Sequence, residues 1–261
     1  MGVYRVCQAE GNSVVDSPFP VCCTPATPMS DAPYNQIASE YYEPDHRTSR
    51  NFDQATAVAL CSIGTRVPKD GLVLDIGCGR GRSAEFLGVD PRRVVQLDSS
   101  IKMLALQPRE ACALRICHRA ESLPFLNEQF ACVTAFLCDP YLGLEFLGES
   151  HRVLRERGVF VATTPAYEWG APLRNALGIS TSMTRFITRN GKVLVPSVLV
   201  PRDQLVGMLK RVGFDERKFE VSRHRLPHNA QPISPDISGP AAQLGIDVHD
   251  LDIIYVITAE K

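Results

Sequence analysis

The sequence lacks a charge bias, a long apolar run and paired cysteine spacings, and each absence removes a class of protein. Its 28 basic and 29 acidic residues leave a formal charge of −1, which argues against a general nucleic-acid binder with a basic face. No apolar run approaches the ~20 residues of a membrane span. The first 20 residues carry no charged segment followed by a solid apolar stretch, so no secretory leader is expected. The nine cysteines are odd in number and form no C-x-x-C pair, which excludes a zinc ribbon or a dithiol redox motif. No metal is expected, and several of the thiols sit in apolar runs where Cys behaves as a small hydrophobe. A reducing, cytoplasmic setting follows.

What is present is an ordinary globular composition. With 44% hydrophobic and 22% charged residues over 261 positions, the chain can build a sizeable core without disulfides or metals. Residues 1–30, punctuated by Pro18, Pro20, Pro25 and Pro28, hold no period of 2 or 3.6 and are read as a disordered N-terminal tail. Residues 31–261 are read as one domain. Helical spacing begins at Asn35, and residues 48–67 form a helix that Ser49 can cap and Pro68 ends.

Short apolar runs then alternate with helical segments. Strands are expected at 72–76, 94–98, 113–117, 131–138 and 159–163, with helices at 83–87, 101–106 and 144–155. Continuously apolar strands alternating with helices imply an α/β, doubly wound, mostly parallel sheet with helices on both faces. The rhythm breaks at 166–201, read as an insertion over the substrate side of the sheet. A helix at 202–212 stops at Gly213. Late strands at 219–222 and 253–258 flank residues 226–250, read as a long loop.

The strongest local signal is Asp75-Ile76-Gly77-Cys78-Gly79-Arg80-Gly81-Arg82-Ser83. A buried strand runs into three alternating glycines and then a helix. Glycine serves where the backbone needs positive φ or a ligand must approach closely, and ligands in such sheets sit beyond the carboxyl ends of the strands. A dinucleotide fingerprint would place its third glycine at position 82, where Arg82 stands. Asp75 would oppose a pyrophosphate but suits a cationic ammonium or sulfonium. Asp98, ending the second strand, can accept hydrogen bonds from a ribose diol. Two acids so placed describe an adenosyl amino acid rather than a phosphate-rich cofactor.

On these residues the sequence resembles the class I S-adenosylmethionine-dependent methyltransferases, close to the methyltransferase type 11 group. The glycine loop, residues 94–104, residues 120–133 and residues 149–161 carry the likeness, which extends from Tyr34 to the end. The resemblance implies a seven-stranded, Rossmann-like methyltransferase fold whose last strand is antiparallel, and S-adenosyl-L-methionine as cofactor. By position, it implies that Gly77, Gly79 and Gly81 line the methionine part of the cofactor and Asp75 orients it. Asp98 would hold the ribose, Ala120 would meet the adenine, Leu137 would flank the cofactor and Tyr41 would cover its methionine end. Cys78, Ser99 and Glu121, beside these in the matching blocks, complete the expected cofactor-binding set. Arg119 stands where many relatives have an acid that accepts the adenine amino hydrogen, and Glu121 or a backbone carbonyl is left to substitute.

Methyl transfer from a sulfonium is an in-line displacement in which the protein mainly positions the nucleophile. Asp139-Pro140-Tyr141 echoes a base-methylating signature, but it lies too far along and lacks a proline, so Asp139 is read as a helix cap. No general base is singled out among the six histidines; His46, with Arg47 and Arg50, could face an acidic substrate. Tyr167, Glu168 and Trp169 are the expected substrate contacts. The expected function is methyl transfer to oxygen, nitrogen or carbon of a small-molecule metabolite, with no membrane partner. Methylation of a protein or tRNA, and a non-catalytic cofactor-binding module, remain as alternatives; a nicotinamide oxidoreductase is disfavoured by Arg82.

Overall fold

The computed structural model describes residues 4–7, 14–17, 32–43, 46–61, 63, 66–107, 112 and 114–261. Within 1–30 it describes an antiparallel pair, β1 (Tyr4–Cys7) and β2 (Val14–Ser17). The rest of the expected tail lies outside the described residues, and the eight that are described are paired strands rather than irregular chain.

Seven strands form the main sheet: β3 (Val73–Ile76), β4 (Val94–Asp98), β5 (Leu114–Cys117), β6 (Phe130–Phe136), β7 (Leu154–Pro165), β10 (Phe219–Arg225) and β11 (Asp252–Glu260). Their spatial order is β10-β11-β7-β6-β3-β4-β5. β3 pairs in parallel with β4 and β6, β4 with β5, and β6 with β7, while β11 runs antiparallel to both its neighbours. This is the Rossmann-like methyltransferase arrangement, with the last strand reversed. The central strands are buried on both faces, which is why β3 and β4 read as unbroken apolar runs interrupted only by Asp75, Gln96 and Asp98.

Helices cover the two faces: α2 (Arg47–Leu60), α3 (Ser83–Leu87), α4 (Ile101–Ala105), α5 (Leu144–Val153) and α7 (Arg202–Val212). Phe146 of α5, Phe160 of β7 and Phe214 after α7 form one aromatic run, with ring centroids 6.2 and 5.9 Å apart. Gly213 ends α7 at φ +110°, the left-handed turn expected of a glycine at that point. Among the described residues no helix is long and apolar enough to cross a membrane.

Three local expectations change. The helix after Glu43 starts at Arg47 with His46 as its cap residue and no capping side chain, so Ser49 lies inside the first turn. Residues 166–201 hold α6 (Tyr167–Ala176) and a hairpin of β8 (Met183–Thr188) and β9 (Gly191–Pro196). Residues 226–250 are not one loop: they contain α8 (Pro235–Gln243), where Ser234 Oγ accepts the Asp236 N–H at 3.2 Å and Pro235 opens the first turn. Ser-Pro at a helix start is a readable signal; Gly239 and Pro240 inside the helix obscure it.

The sheet order fixes where a ligand can sit. From β3 the chain proceeds to β4 and β5 on one side, then returns to β6 and β7 on the other. The turns after β3 and β6 therefore diverge and leave a crevice at the carboxyl end of the sheet. A short helix, α1 (Ala38–Tyr41), supplies Tyr41 to that crevice.

Candidate functional site

Residues 77–82 turn from β3 into α3 with Gly77, Gly79 and Gly81 at φ +63°, +51° and +76°. A Cβ on Gly77 would overlap Cys138 Sγ, and one on Gly79 would overlap the Tyr42 hydroxyl. The loop is thus both left-handed and closely approached, the two reasons glycine is needed. Asp98 ties it down: Oδ2 accepts the Gly79 N–H at 2.9 Å and Oδ1 the Ser100 N–H at 2.8 Å. Burial raises the Asp98 carboxyl despite these bonds. Asp75 lies beneath the loop, accepting from Ser83 Oγ at 2.8 Å and Thr134 Oγ1 at 2.9 Å. Burial outweighs those hydrogen bonds and pushes its carboxyl up to about 7.

Across the crevice, Leu137, the residue after β6, stands at φ +54°, uncommon for a bulky residue. Its N–H is shared by the Thr163 carbonyl at 2.9 Å and Oγ1 at 3.1 Å, which holds the turn. Such strain held by its surroundings is concentrated at functional sites.

The structure brings eight of the expected residues to one cleft: Tyr41, Asp75, Gly77, Cys78, Gly79, Asp98, Ser99 and Leu137. Gly81, Ala120 and Glu121 stand outside it. Gly81 is enclosed by the Gln96 side chain, Ala120 is buried, and Glu121 pairs with Arg119 at 3.3 Å. Cys78 is buried and its thiol is pushed well up by burial, so it fills space and is not a nucleophile.

The cleft residues suit a cationic adenosyl amino acid. Asp98 supplies a carboxylate and Asp75 a carboxyl that a neighbouring cation favours ionising, and the Thr56 hydroxyl lines the same cleft buried and without a partner, a donor and acceptor waiting for a polar group. The cleft itself holds only about 90 Å³, against the ~300 Å³ or more of pockets that bury a drug-sized ligand. Tyr42 accounts for part of the shortfall. Its hydroxyl accepts the Arg80 N–H at 3.0 Å, and the Arg80 guanidinium lies 4.6 Å from its ring centre.

A second cavity of about 580 Å³ adjoins the first, sharing Tyr34, Tyr41 and Leu137 with it. Its walls come from α1, the start of α2, α6, the hairpin and the start of α8. Tyr41 and Phe186 stack with centroids 5.2 Å apart, and Phe186 stacks on His46 at 4.4 Å. Phe52 and Trp169 form a second aromatic pair at 6.1 Å. At one end lies Asp139, 6% exposed. Ser197 Oγ donates to its Oδ2, and the Arg174 guanidinium donates to Ser197 Oγ at 2.6 Å, Ser197 O at 2.5 Å and Thr181 O at 3.0 Å. Burial pushes the Asp139 carboxyl up to about 6, with Ser197 and Arg174 opposing.

Asp139 is therefore not a helix cap: it opens a 3-10 turn whose cap residue is Cys138, and its side chain turns to Ser197. Of the expected substrate contacts, Trp169 lines the cavity. Glu168 faces away, paired with Arg223 at 2.8 Å and hydrogen-bonded by the Tyr255 hydroxyl, and Tyr167 is not in the lining. His46 and Arg47 line the cavity while Arg50 does not. His118 is at the other edge of the sheet, with Nδ1 3.2 Å from Arg119 O. Arg174, Ser197, Phe186 and Tyr42 were not foreseen. Tyr42 shares the helical stretch of Tyr41 without a signal of its own, Phe186 and Ser197 come from the segment read as an insertion, and Arg174 sits in a helix whose Pro172 and weak pattern hide its inner face.

Residues 74–162 match the family model described as a methyltransferase domain. No curated protein sequence matches the chain. Among solved structures, the chain is similar to a Thermotoga maritima S-adenosylmethionine-dependent methyltransferase described as a possible histamine N-methyltransferase. The two are 17% identical over 87% of this chain and 98% of that one, with a TM-score of 0.58. An S-adenosylmethionine-dependent methyltransferase from Mesorhizobium loti aligns at 20% identity over 80% and 100% of the two chains, with a TM-score of 0.51. Haemonchus contortus phosphoethanolamine N-methyltransferase 2, solved with phosphomonomethylethanolamine and S-adenosylhomocysteine, aligns at 16% identity over 86% and 59%, with a TM-score of 0.56.

Proposed function

We propose that this chain, whose residues 74–162 match a methyltransferase-domain family model, transfers a methyl group from S-adenosylmethionine to a small molecule held in the larger cavity. One observation carries the choice of acceptor: a cavity of about 580 Å³ opens directly beside the glycine-loop cleft and shares three lining residues with it. That volume is the size of a pocket that buries a small molecule.

On this reading the donor lies along the glycine loop. Gly77, Cys78 and Gly79 take its methionine end, with Asp75 beneath and Gly81 completing the turn. Asp98 and Ser99 take the ribose, and Leu137 and Tyr41 stand between donor and acceptor; Ala120 and Glu121 lie outside the cleft and meet the adenine only if the cleft opens toward them. When bound, S-adenosylmethionine supplies a methyl carbon on a sulfonium, an electrophile that needs alignment more than activation. Aligning the acceptor then falls to the walls of the second cavity. The aromatic faces of Tyr41, Phe186 and Trp169 exclude water from an apolar body. The strained turn at Leu137 keeps the passage between the two spaces narrow. The phosphoethanolamine and possible histamine enzymes among the structural neighbours support a small-molecule acceptor.

The test is calorimetry followed by label transfer. S-adenosylhomocysteine is expected to bind the purified protein. With methyl-labelled donor and fractionated cell extract, label is expected in the small-molecule fraction. Label in protein or RNA overturns the acceptor, and binding of a nicotinamide nucleotide in place of S-adenosylhomocysteine overturns the donor.

A further inference from the structure

The second cavity contains a titratable group to which the reading above gives no task. Asp139 is almost wholly buried, yet it lines the cavity. Its one side-chain donor is Ser197, at Oδ2. Arg174 does not bond it directly; all three of that guanidinium's hydrogen bonds go to Ser197 and Thr181. The carboxylate is therefore oriented but not consumed by an ion pair, and a buried charge in that state is costly unless something completes it.

The field around it selects what that something is. Tyr41 stands at the passage between the two spaces, and Asp139, Asp53 and Asp98 all push its phenol upward, adding to burial. Carboxylates that oppose a phenolate on the protein equally oppose one on a substrate, and they favour an ammonium. The aromatic walls point the same way, because ring faces attract cations. Tyr34, Tyr41, Phe52, Trp169 and Phe186 all line this cavity.

We propose that the acceptor is a primary or secondary amine on an apolar, ring-sized body, and that Asp139 binds its ammonium and takes the proton that must leave before nitrogen can be methylated. This rests on the reading that the cleft holds S-adenosylmethionine. The balance is simple. An ammonium N–H bond breaks and an O–H bond forms on Asp139, leaving the electron pair on nitrogen. That pair forms the N–C bond as the C–S pair withdraws onto sulfur. The product departs as an N-methylammonium, and Asp139 returns its proton to solvent. A carboxyl held near 6 is ionised at neutral pH and able to receive it.

The groups facing Asp139 are Ser197 after β9, Arg174 of α6, Tyr41 of α1 and its own neighbour Cys138. His46, Arg47, Arg185, Arg189, Glu40, Glu43 and Asp236 stand elsewhere on the cavity wall; His46 needs its own control, and the loss of the preference in Asp139→Asn separates Asp139 from the other carboxylates.

The test uses the full chain saturated with S-adenosylhomocysteine, with 2-phenylethylamine and tryptamine as probes and 2-phenylethanol as the uncharged match. At pH 7.5 the amines are expected to bind at least ~10-fold more tightly than the alcohol, as a charge-assisted hydrogen bond predicts. Amine affinity is expected to fall as pH drops through about 6, and His46→Gln is expected to keep that midpoint. Asp139→Asn should abolish both the preference and the pH dependence while S-adenosylhomocysteine still binds. Should Asp139→Asn not fold, Ser197→Ala serves instead: losing the donor to Oδ2 moves the midpoint upward. Equal binding of amine and alcohol overturns the proposal, as does an Asp139→Asn variant indistinguishable from wild type. So does failure of both amines to bind the loaded protein. Failure of S-adenosylhomocysteine itself to bind sinks the earlier reading, and is seen separately.

Discussion

The two adjoining spaces are built in opposite ways. The cleft beside β3 is shaped by backbone: left-handed glycines, N–H groups tied to Asp98, and a turn only six residues long between β3 and α3. The larger cavity is shaped by side chains from five segments spread between Tyr34 and Asp236. A backbone-made site tolerates little change of sequence and binds a constant ligand; a side-chain-made site can be re-cut for a new acceptor without disturbing the donor. The pin joining them is the Asp139–Ser197–Arg174 chain, which fastens the hairpin and α6 to the turn after β6.

That contrast breaks most visibly at the glycine loop. Gly77→Ala must hold φ +63° and place a methyl on Cys138 Sγ. The left-handed backbone costs ~1–2 kcal/mol and the overlap ~1–3 kcal/mol, so a loss of ~2–5 kcal/mol is expected in denaturant unfolding. S-adenosylhomocysteine binding should weaken with it by more than tenfold. On the other side, Arg174→Met removes charged hydrogen bonds worth ~1.5–3 kcal/mol but touches nothing in the cleft. Its expected signature is the reverse: lowered stability, loss of amine binding, and S-adenosylhomocysteine affinity unchanged within about twofold. If both variants impair both ligands equally, the two spaces are one site and the contrast is wrong.

The same division explains what the sequence disclosed. The strand-turn-helix that holds Asp75 and the three glycines, and the strand that ends in Asp98, were legible as local structure, because their elements are contiguous and their residue types follow from local backbone needs. The seven strands and the reversed β11 follow from apolar runs and the resemblance together. Asp139 was misread as a cap because its partner Ser197 lies 58 positions away, and no local pattern announces such a contact. Glu168 was misassigned for the same reason: Arg223 and Tyr255, 55 and 87 positions on, draw it away from the cavity. The hairpin could have been suspected from Asn190-Gly191 between apolar-alternating runs, and α8 from Ser234-Pro235.

Protons sharpen the contrast further. Asp75, held near 7 by burial, keeps its proton at pH 6 in the free protein. The unfolded carboxyl ionises near pH 4, so as pH rises from 4 to 7 the unfolded state is favoured and stability falls, by at most ~1.4 kcal/mol per unit. A cationic ligand beside it favours the carboxylate. Binding of S-adenosylmethionine at pH 6 is therefore expected to release protons, seen as a dependence of binding heat on buffer ionisation. At pH 8.5, where Asp75 is already ionised, that contribution vanishes. Asp75→Asn should abolish it at pH 6 and change nothing at pH 8.5; release at pH 6 that persists in the variant assigns the proton elsewhere.

The smallest effect tests whether the narrow cleft is closed by its own side chain. The Tyr42 hydroxyl accepts the Arg80 N–H and occupies the face of Gly79 that a ligand would approach. Opening the cleft forfeits that hydrogen bond, so the measured affinity is the intrinsic one reduced by the fraction of molecules open. Tyr42→Phe removes the hydroxyl from the closed form, at ~1 kcal/mol for the lost bond, and so raises the open fraction. S-adenosylhomocysteine is expected to bind ~3–5-fold more tightly to this variant, with the gain in association rate because the barrier lies in opening. Weaker binding would mean that the hydroxyl serves the ligand rather than excludes it, and the cleft would then be a formed site in which Tyr42 is a contact.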